Sequence, residues 1–298
     1  MSCGKRLSLD ILIPTRDRPL RLAACLASLA AQDLSFIEGE KRLYLLDNGG
    51  TSVFTASEVA RYLDALEMRG IATTYLRQPK RCGIFWIRRE LYQRSSGDIV
   101  LHLDDDVLLA AGSVADVWEG VVDTGFNLAA NFVIDVDGLS RETITHSSTN
   151  LKQSIEYLVE QIRGGRIGFQ GDHWIEMTEP FGTNIMFRRA DFDGLGAWDR
   201  LLPLFGDSSM GWGEDSALCV ALKTLGSAYV SVREAVLHFT PSERYFTSFE
   251  NSEGFKEFLC ENFGGWNPSQ IRNKPSDREG DVEMIIRQLE SYFRASWR

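Results

Sequence analysis

The chain has 298 residues, 44% of them hydrophobic and 25% charged, which is material for one large α/β domain or two small ones with a substantial core. Lys and Arg total 32 against 42 Asp and Glu, a net charge of −10, which argues against a nucleic-acid partner but leaves room for a small phosphate compound where a metal and local arginines reverse the sign. The opening "MSCGKRLSLD" has no signal-like apolar core, no membrane-length apolar run follows, and the five cysteines (Cys3, Cys25, Cys82, Cys219, Cys260) form no CxxC pair, so the expectation is a soluble, cytoplasmic protein with reduced thiols and no membrane span.

Read in chain order, "LDILIP" is a buried strand, and "LRLAACLASLAAQ" carries Leu22, Cys25, Leu26 and Leu29 at helical spacing. "RLYLLDNG" is a second strand that ends in Asp47 and a Gly turn. "SEVARYLDALEMRG" is a helix with Ser57 as its expected N-cap and Gly70 as its stop. "IATTYLRQ" is a third strand, "GIFWIRRELYQRSSG" a third helix, and "DIVLHLDDD" a fourth strand. Such alternation predicts a Rossmann-like α/β fold, a mostly parallel sheet with helices on both faces. Ligands of such sheets bind beyond the carboxyl ends of the strands, where Asp47 and Asp104 to Asp106 fall.

The second half is less regular. "NLAANFVIDVDG" reads as strand and turn, and Leu151 to Ile162 as a helix before a Gly-rich stretch. That stretch, Gly164 to Gly171, fits either a lid over a ligand or a plain connector. His173 and Trp174 follow it, as acceptor contacts or, for Trp174, core packing. After "GTNIMFRRADFDGLGAWD" come "GWGEDSALCVALKTLG" and "SAYVSVREAVLHF". Near the end, Val282, Ile285, Ile286, Leu289, Tyr292 and Phe293 share one helical face, a docking stripe or a dimer contact.

Three adjacent carboxylates at the end of an apolar run need a counter-charge. Hard divalent cations such as Mn2+ or Mg2+ suit one or two carboxylates together with phosphates and water. In extended chain, residues i and i+2 point the same way, so Asp104 and Asp106 are expected to address one ligand while Asp105 faces elsewhere. Glu214 and Asp215 open a helix, where carboxylates suit the macrodipole; capping alone does not call for Gly211, Trp212 and Gly213 before them. The Trp212 indole offers a flat face on which a sugar ring can stack. His238 on its own reads as a structural residue after a strand, His102 as an interior one, and His146 as a loop residue.

Taken together, "ILIPTRDRP", "LLDNGG", "PKRCGIFWIRRE", "LHLDDDV", "GTNIMFRRADFDGLGAWD", "GWGEDSAL" and the late His238 appear in an order that resembles family 2 glycosyltransferases of the GT-A fold, over roughly Leu9 to Phe239. The resemblance implies a nucleotide-sugar-binding half over 1–110, an acceptor-binding half over 111–240 and a C-terminal helical extension over 241–298. It implies that Asp47 bonds the nucleotide base, with Pro14, Thr15 and Arg16 lining that pocket, and that Arg88 approaches the diphosphate or base. Asp104 would contact the ribose or the metal shell beside Asp105, Asp106 would bind the metal directly, and His238 would join as a further metal ligand. Asp215 would be the general base, Glu214 would contact the acceptor or orient the site, and Asn184, Trp212 and Gly213 would serve the sugar. Two positions depart from the family's pattern: Arg89 stands where the family has Asn, and one Gly rather than two separates Trp212 from Glu214.

The implied activity is an inverting, Mn2+- or Mg2+-dependent transfer from a nucleoside-diphosphate sugar, UDP-linked by default, to a hydroxyl on a glycan, small molecule, lipid-linked intermediate or protein. Two alternatives stand beside it: a sugar-phosphate nucleotidyltransferase, and a silent nucleotide-sugar-binding protein. The first would want a Gly-rich loop after the first strand, and "PTRDRP" has none.

Overall fold

The computed structural model describes residues 6–78, 80, 82–137, 160, 168–170, 173–177, 183–205, 214–226 and 228–240. Strand β1 (Leu9–Thr15) is buried along its whole length, as expected of a strand covered on both faces. Its alternate residues go to opposite layers. Leu12 joins a core with Phe85, Leu91 and Trp198, whereas Ile11 and Ile13 join one with Leu22, Leu26 and Leu29 of helix α1 (Pro19–Ala30).

Strand β2 (Lys41–Asp47), helix α2 (Ser57–Met68), strand β3 (Ile71–Arg77), helix α3 (Ile84–Arg94) and strand β4 (Ile99–Leu103) follow in the expected alternation. The N-cap of α2 is Ala56, not Ser57; Ser57 lies inside the first turn and its hydroxyl bonds Glu58. Gly70 does stop that helix, with a φ of 78° that its missing Cβ permits.

Beyond β4 the chain turns at Asp105 and Asp106 into the short strand β5 (Val107–Leu109), then helix α4 (Ser113–Trp118) and strand β6 (Leu128–Asp137). Next come β7 (Gly168–Gln170), β8 (Trp174–Met177), β9 (Asn184–Arg188), helices α5 (Arg189–Leu195), α6 (Ala197–Phe205) and α7 (Glu214–Lys223), and the long strand β10 (Ala228–Thr240). One ten-stranded sheet joins them in the order β3-β2-β1-β4-β9-β6-β10-β8-β7, with β5 on β10. From the pairings, β1, β2, β3, β4, β6, β7 and β10 run one way and β5, β8 and β9 the other. The carboxyl ends of β1, β2, β4 and β10 therefore share one edge, and the start of β9 meets them there.

The expected helices over Leu151 to Ile162 and in the last 58 residues, with the C-terminal stripe, lie outside the described residues apart from Glu160, as do His146, Trp212 and Gly213. Of the Gly164 to Gly171 stretch, Gly168–Gln170 is described, as strand β7 on β8. Among the described residues no helix is long and apolar enough to cross a membrane. Among the described residues, Cys25, Cys82 and Cys219 form no disulfide.

Candidate active site at the carboxyl ends of the strands

The site is built by one register. Val107 of β5 lies opposite His238 of β10, and the amide of Phe239 donates to the carbonyl of Asp106 at 2.8 Å. The turn after β4 is thereby held against the end of β10, residues far apart in sequence. The Asp104 amide donates to the carbonyl of Thr183 at 2.9 Å, which fixes the turn to β9 as well. As a result, one ligand atom from each of Asp104, Asp106 and His238 lies within 4.8 Å of the others. Two carboxylates and an imidazole form a donor set able to hold a divalent cation.

Each of the three carboxylates has its own set of partners, and Asp105 stands outside the group that Asp104 and Asp106 form with His238. Asp105 is 1% exposed; Thr15 Oγ1 donates to its Oδ2 at 2.6 Å, and Arg18 Nη2 lies 2.7 Å from its Oδ1. Asp106 Oδ2 accepts from Arg18 Nη1 and lies 3.5 Å from Arg21 Nη1, while its Oδ1 lies 3.5 Å from His238 Nε2. Asp104 Oδ1 accepts from Arg88 Nη2 at 2.6 Å. Arginines therefore supply the counter-charge that the sequence left to a divalent ion. Burial pushes Asp105 up to about 7 against the pull of Arg18. Burial also lifts Asp104 above the usual carboxylate range despite Arg88. Burial works on Asp106 in the same sense, but the hydrogen bond from His238 and the charge of Arg18 outweigh it and hold this carboxyl below the usual range.

Arg88 is turned inward. It is 3% exposed, and its Nε donates to Glu214 Oε1 at 3.1 Å, its Nη2 to Asp104, and its Nη1 lies 3.4 Å from His102 Nδ1. With all three nitrogens engaged, it joins the aspartate turn to the start of α7. A guanidinium only donates, so His102 Nδ1 accepts and the ring proton sits on Nε2. Burial, then the charge of Arg88, drives His102 well below the usual imidazole range. Glu214 is 5% exposed, and burial followed by the charge of Asp215 lifts it to about 8. Asp215 is half-buried, takes the Ser216 amide at 2.9 Å, and is close enough to Asp104 for each charge to act on the other.

Other expected site residues occupy interior positions. Asp47 is fully buried and its two oxygens accept the amides of Gly49 and Val53, at 2.8 and 3.0 Å, so it orders its loop. Pro14 and Thr15 are buried in β1, Thr15 behind Asp105; Arg16 is half-buried at the strand end, its Nε 3.6 Å from Asp17. Asn184 is 1% exposed and donates to Asn131 Oδ1 at 2.8 Å, inside the sheet and not toward a sugar. Trp174 is core, its ring centroid 5.1 Å from that of Phe126, and His173 is buried with Nε2 3.7 Å from Asp116. Arg89 leans away from the site, over Trp86 and 3.4 Å from Asp199.

The sequence reading missed Arg18 and Arg21. A signal existed: basic residues before and in the first turn of α1, with no acid in that turn, oppose the helix macrodipole and need anions beyond the helix.

The family model described as glycosyl transferase family 2 matches residues 10–196. The chain belongs to glycosyl transferase family 2. Relatives of this family 2 chain include N-acetylglucosaminyltransferases of Rhizobium leguminosarum bv. phaseoli, 31% identical over 35% of this chain and 23% of the relative, and of Sinorhizobium fredii, 33% identical over 36% and 24%. The matched segment thus spans about a quarter of those proteins. Among solved structures, GalNAc-T7 with UDP, GalNAc and Mn2+ superposes with a TM-score of 0.56 at 13% identity, over 86% of this chain and 48% of that one. TarS 1–349 of S. aureus with UDP-GlcNAc gives 0.55 at 15% identity, over 97% and 73%. The family 2 chain has the GT-A fold.

Proposed function

We propose that this protein transfers a sugar from a nucleoside-diphosphate donor to an acceptor hydroxyl, with inversion at the anomeric carbon and with a divalent cation bound by Asp104, Asp106 and His238. The observation that supports it most directly is the convergence of those three side chains, from β4's turn and β10, beside the Glu214–Asp215 start of α7. The relatives named N-acetylglucosaminyltransferases make UDP-N-acetylglucosamine the first donor to test.

Asp215 is the general base of this reading. It takes the proton of the acceptor hydroxyl while that oxygen bonds the anomeric carbon and the carbon–diphosphate bond breaks, its electron pair leaving with the diphosphate. Attack from the face opposite the leaving group inverts the centre, as in inverting glycoside hydrolysis. When bound, the cation supplies Lewis-acid neutralisation of the charge that collects on the departing diphosphate. Glu214 holds Arg88, and through it the start of α7 that carries Asp215.

Incubation with UDP-N-acetylglucosamine and Mn2+ should release UDP, by transfer or slow hydrolysis. Pyrophosphate as the product would point to a nucleotidyltransferase, and no turnover with tight donor binding would point to a silent binder. Asp215→Asn should lower turnover by about 10²–10⁴-fold, the size of a general-base contribution, with donor affinity kept. An active Asp215→Asn enzyme removes Asp215 from the role.

A further inference from the structure

Three arginines face the aspartate turn, and they differ in how they are held. Arg88 is sealed in at 3% exposure and shared with Glu214. Arg21 also donates to the carbonyl of Phe239 at 2.9 Å, which ties α1 to the end of β10. Among the described residues, the side-chain partners of Arg18 are the carboxylates of Asp105 and Asp106, and its side chain is 38% exposed while theirs are 1% and 5%. It stands in the β1–α1 connection, at the strand edge where ligands of such sheets bind. It can therefore swing outward without opening the core.

Asp106 is shared between two claims. Its Oδ2 carries Arg18 and its Oδ1 faces His238, and Asp106 also offers one oxygen to the group it forms with Asp104 and His238. A cation bound there and a guanidinium on the same carboxylate repel each other across a few ångströms. A diphosphate reverses the balance, because its oxygens match the planar guanidinium fork and bring negative charge.

We infer that Arg18 is a built-in counter-cation of the aspartate turn: it neutralises Asp105 and Asp106 in the empty site, opposes a divalent cation arriving alone, and turns to the diphosphate oxygens when metal and nucleotide arrive together. The inference rests on the cation site proposed above. Its consequence is strong mutual dependence of metal and nucleotide binding, set by one side chain outside the ligand set.

The test is Mn2+ binding, read from the electron paramagnetic resonance of free Mn2+, with and without UDP, for wild type, Arg18→Gln, Arg18→Lys and Asp106→Asn. Arg18→Gln should bind Mn2+ alone about tenfold more tightly than wild type, as loss of one nearby unit charge implies, and should gain less from UDP. Arg18→Lys keeps the charge and should stay near wild type. Equal or weaker Mn2+ binding by Arg18→Gln, with Asp106→Asn having lost it, overturns the role of Arg18 and leaves the cation site standing. Unchanged Mn2+ binding by Asp106→Asn sinks the cation site itself. If Arg18→Gln does not fold, tenfold tighter binding by Arg18→Lys, or wild-type Mn2+ affinity that UDP leaves unchanged, overturns the inference.

Discussion

Arg88 holds together two carboxylates that come from distant parts of the chain, Asp104 at the end of β4 and Glu214 at the start of α7. Truncation to Ala leaves Asp104 and Glu214 without their shared partner. Removing one member of a buried ion pair costs about 3–5 kcal/mol, so Arg88→Ala should lower unfolding stability in urea by that order. Arg88→Lys should recover only part of it, since a point charge on a flexible stem cannot serve three acceptors in fixed directions. The sequence suggested the opposite orientation for this residue, toward a diphosphate. Its inward turn depends on a partner 126 positions away, which local pattern does not reveal. Glu214 carries a pH signature of its own. Its ordinary value is 4.5 and burial raises it to about 8, so between those values the folded protein binds more protons than the unfolded chain. Stability from this group is complete below about pH 4.5 and declines as pH rises through about 8, with a slope of at most about 1.4 kcal/mol per pH unit. Glu214→Gln should flatten that decline when urea midpoints are compared across the range; an unchanged pH slope would show that Glu214 does not titrate there.

The loop after β2 shows how an element end is made ready for a ligand. Asp17 has a φ of 53°, an uncommon value that Asp tolerates, and its carboxylate takes the amide of Gly50 at 2.9 Å. Asp47 takes the amides of Gly49 and Val53 from the other side. A Cβ on Gly49 would stand 2.5 Å from Asp17 Oδ1 and 2.9 Å from Asp47 Oδ1, so this glycine is required by close approach. Gly49→Ala should therefore push the two carboxylates apart and destabilise the fold by about 1–3 kcal/mol, the usual cost of overpacking. Its thermal midpoint should fall, and UDP binding measured by calorimetry should weaken with it. "LLDNGG" announced a turn at this place but not its crossed carboxylates, because the second one arrives from the β1–α1 connection. The elements of the first half were legible for simple reasons: β1 and β4 are short, largely apolar runs buried along their whole length, and α1 to α3 each bury residues at helical spacing. Strand β5 was not, since three residues carry no readable period. Yet its pairing with β10 is what brings Asp106 to His238.

A sheet that unites β3 at one edge with β8 and β7 at the other places the candidate ligands on a rigid frame, contributed by both halves of the chain. Seven short motifs in order were enough to read the fold and the family, because each marks a strand end or a helix start, and those positions are fixed by chain order. The charge balance of the site was not readable that way, since it depends on which arginines the fold aims at the turn. That balance sets an expectation for the folded protein as a unit. A ligand that binds only the native state stabilises it by RT ln(1 + [L]/Kd), about 2.7 kcal/mol at a hundredfold excess over Kd. For a domain of 150–250 residues each kcal/mol raises the midpoint by about 2–4 °C, so UDP with Mn2+ should raise Tm by about 5–10 °C. With Arg18, Arg21 and Arg88 already facing the aspartates, Mn2+ alone should raise it by much less. Asp106→Asn should abolish the Mn2+-dependent part, because the variant loses the carboxylate that both His238 and Arg18 address. Differential scanning fluorimetry decides it: an Asp106→Asn protein that responds to UDP and Mn2+ as wild type does cannot be using the end of β4 to hold its cation.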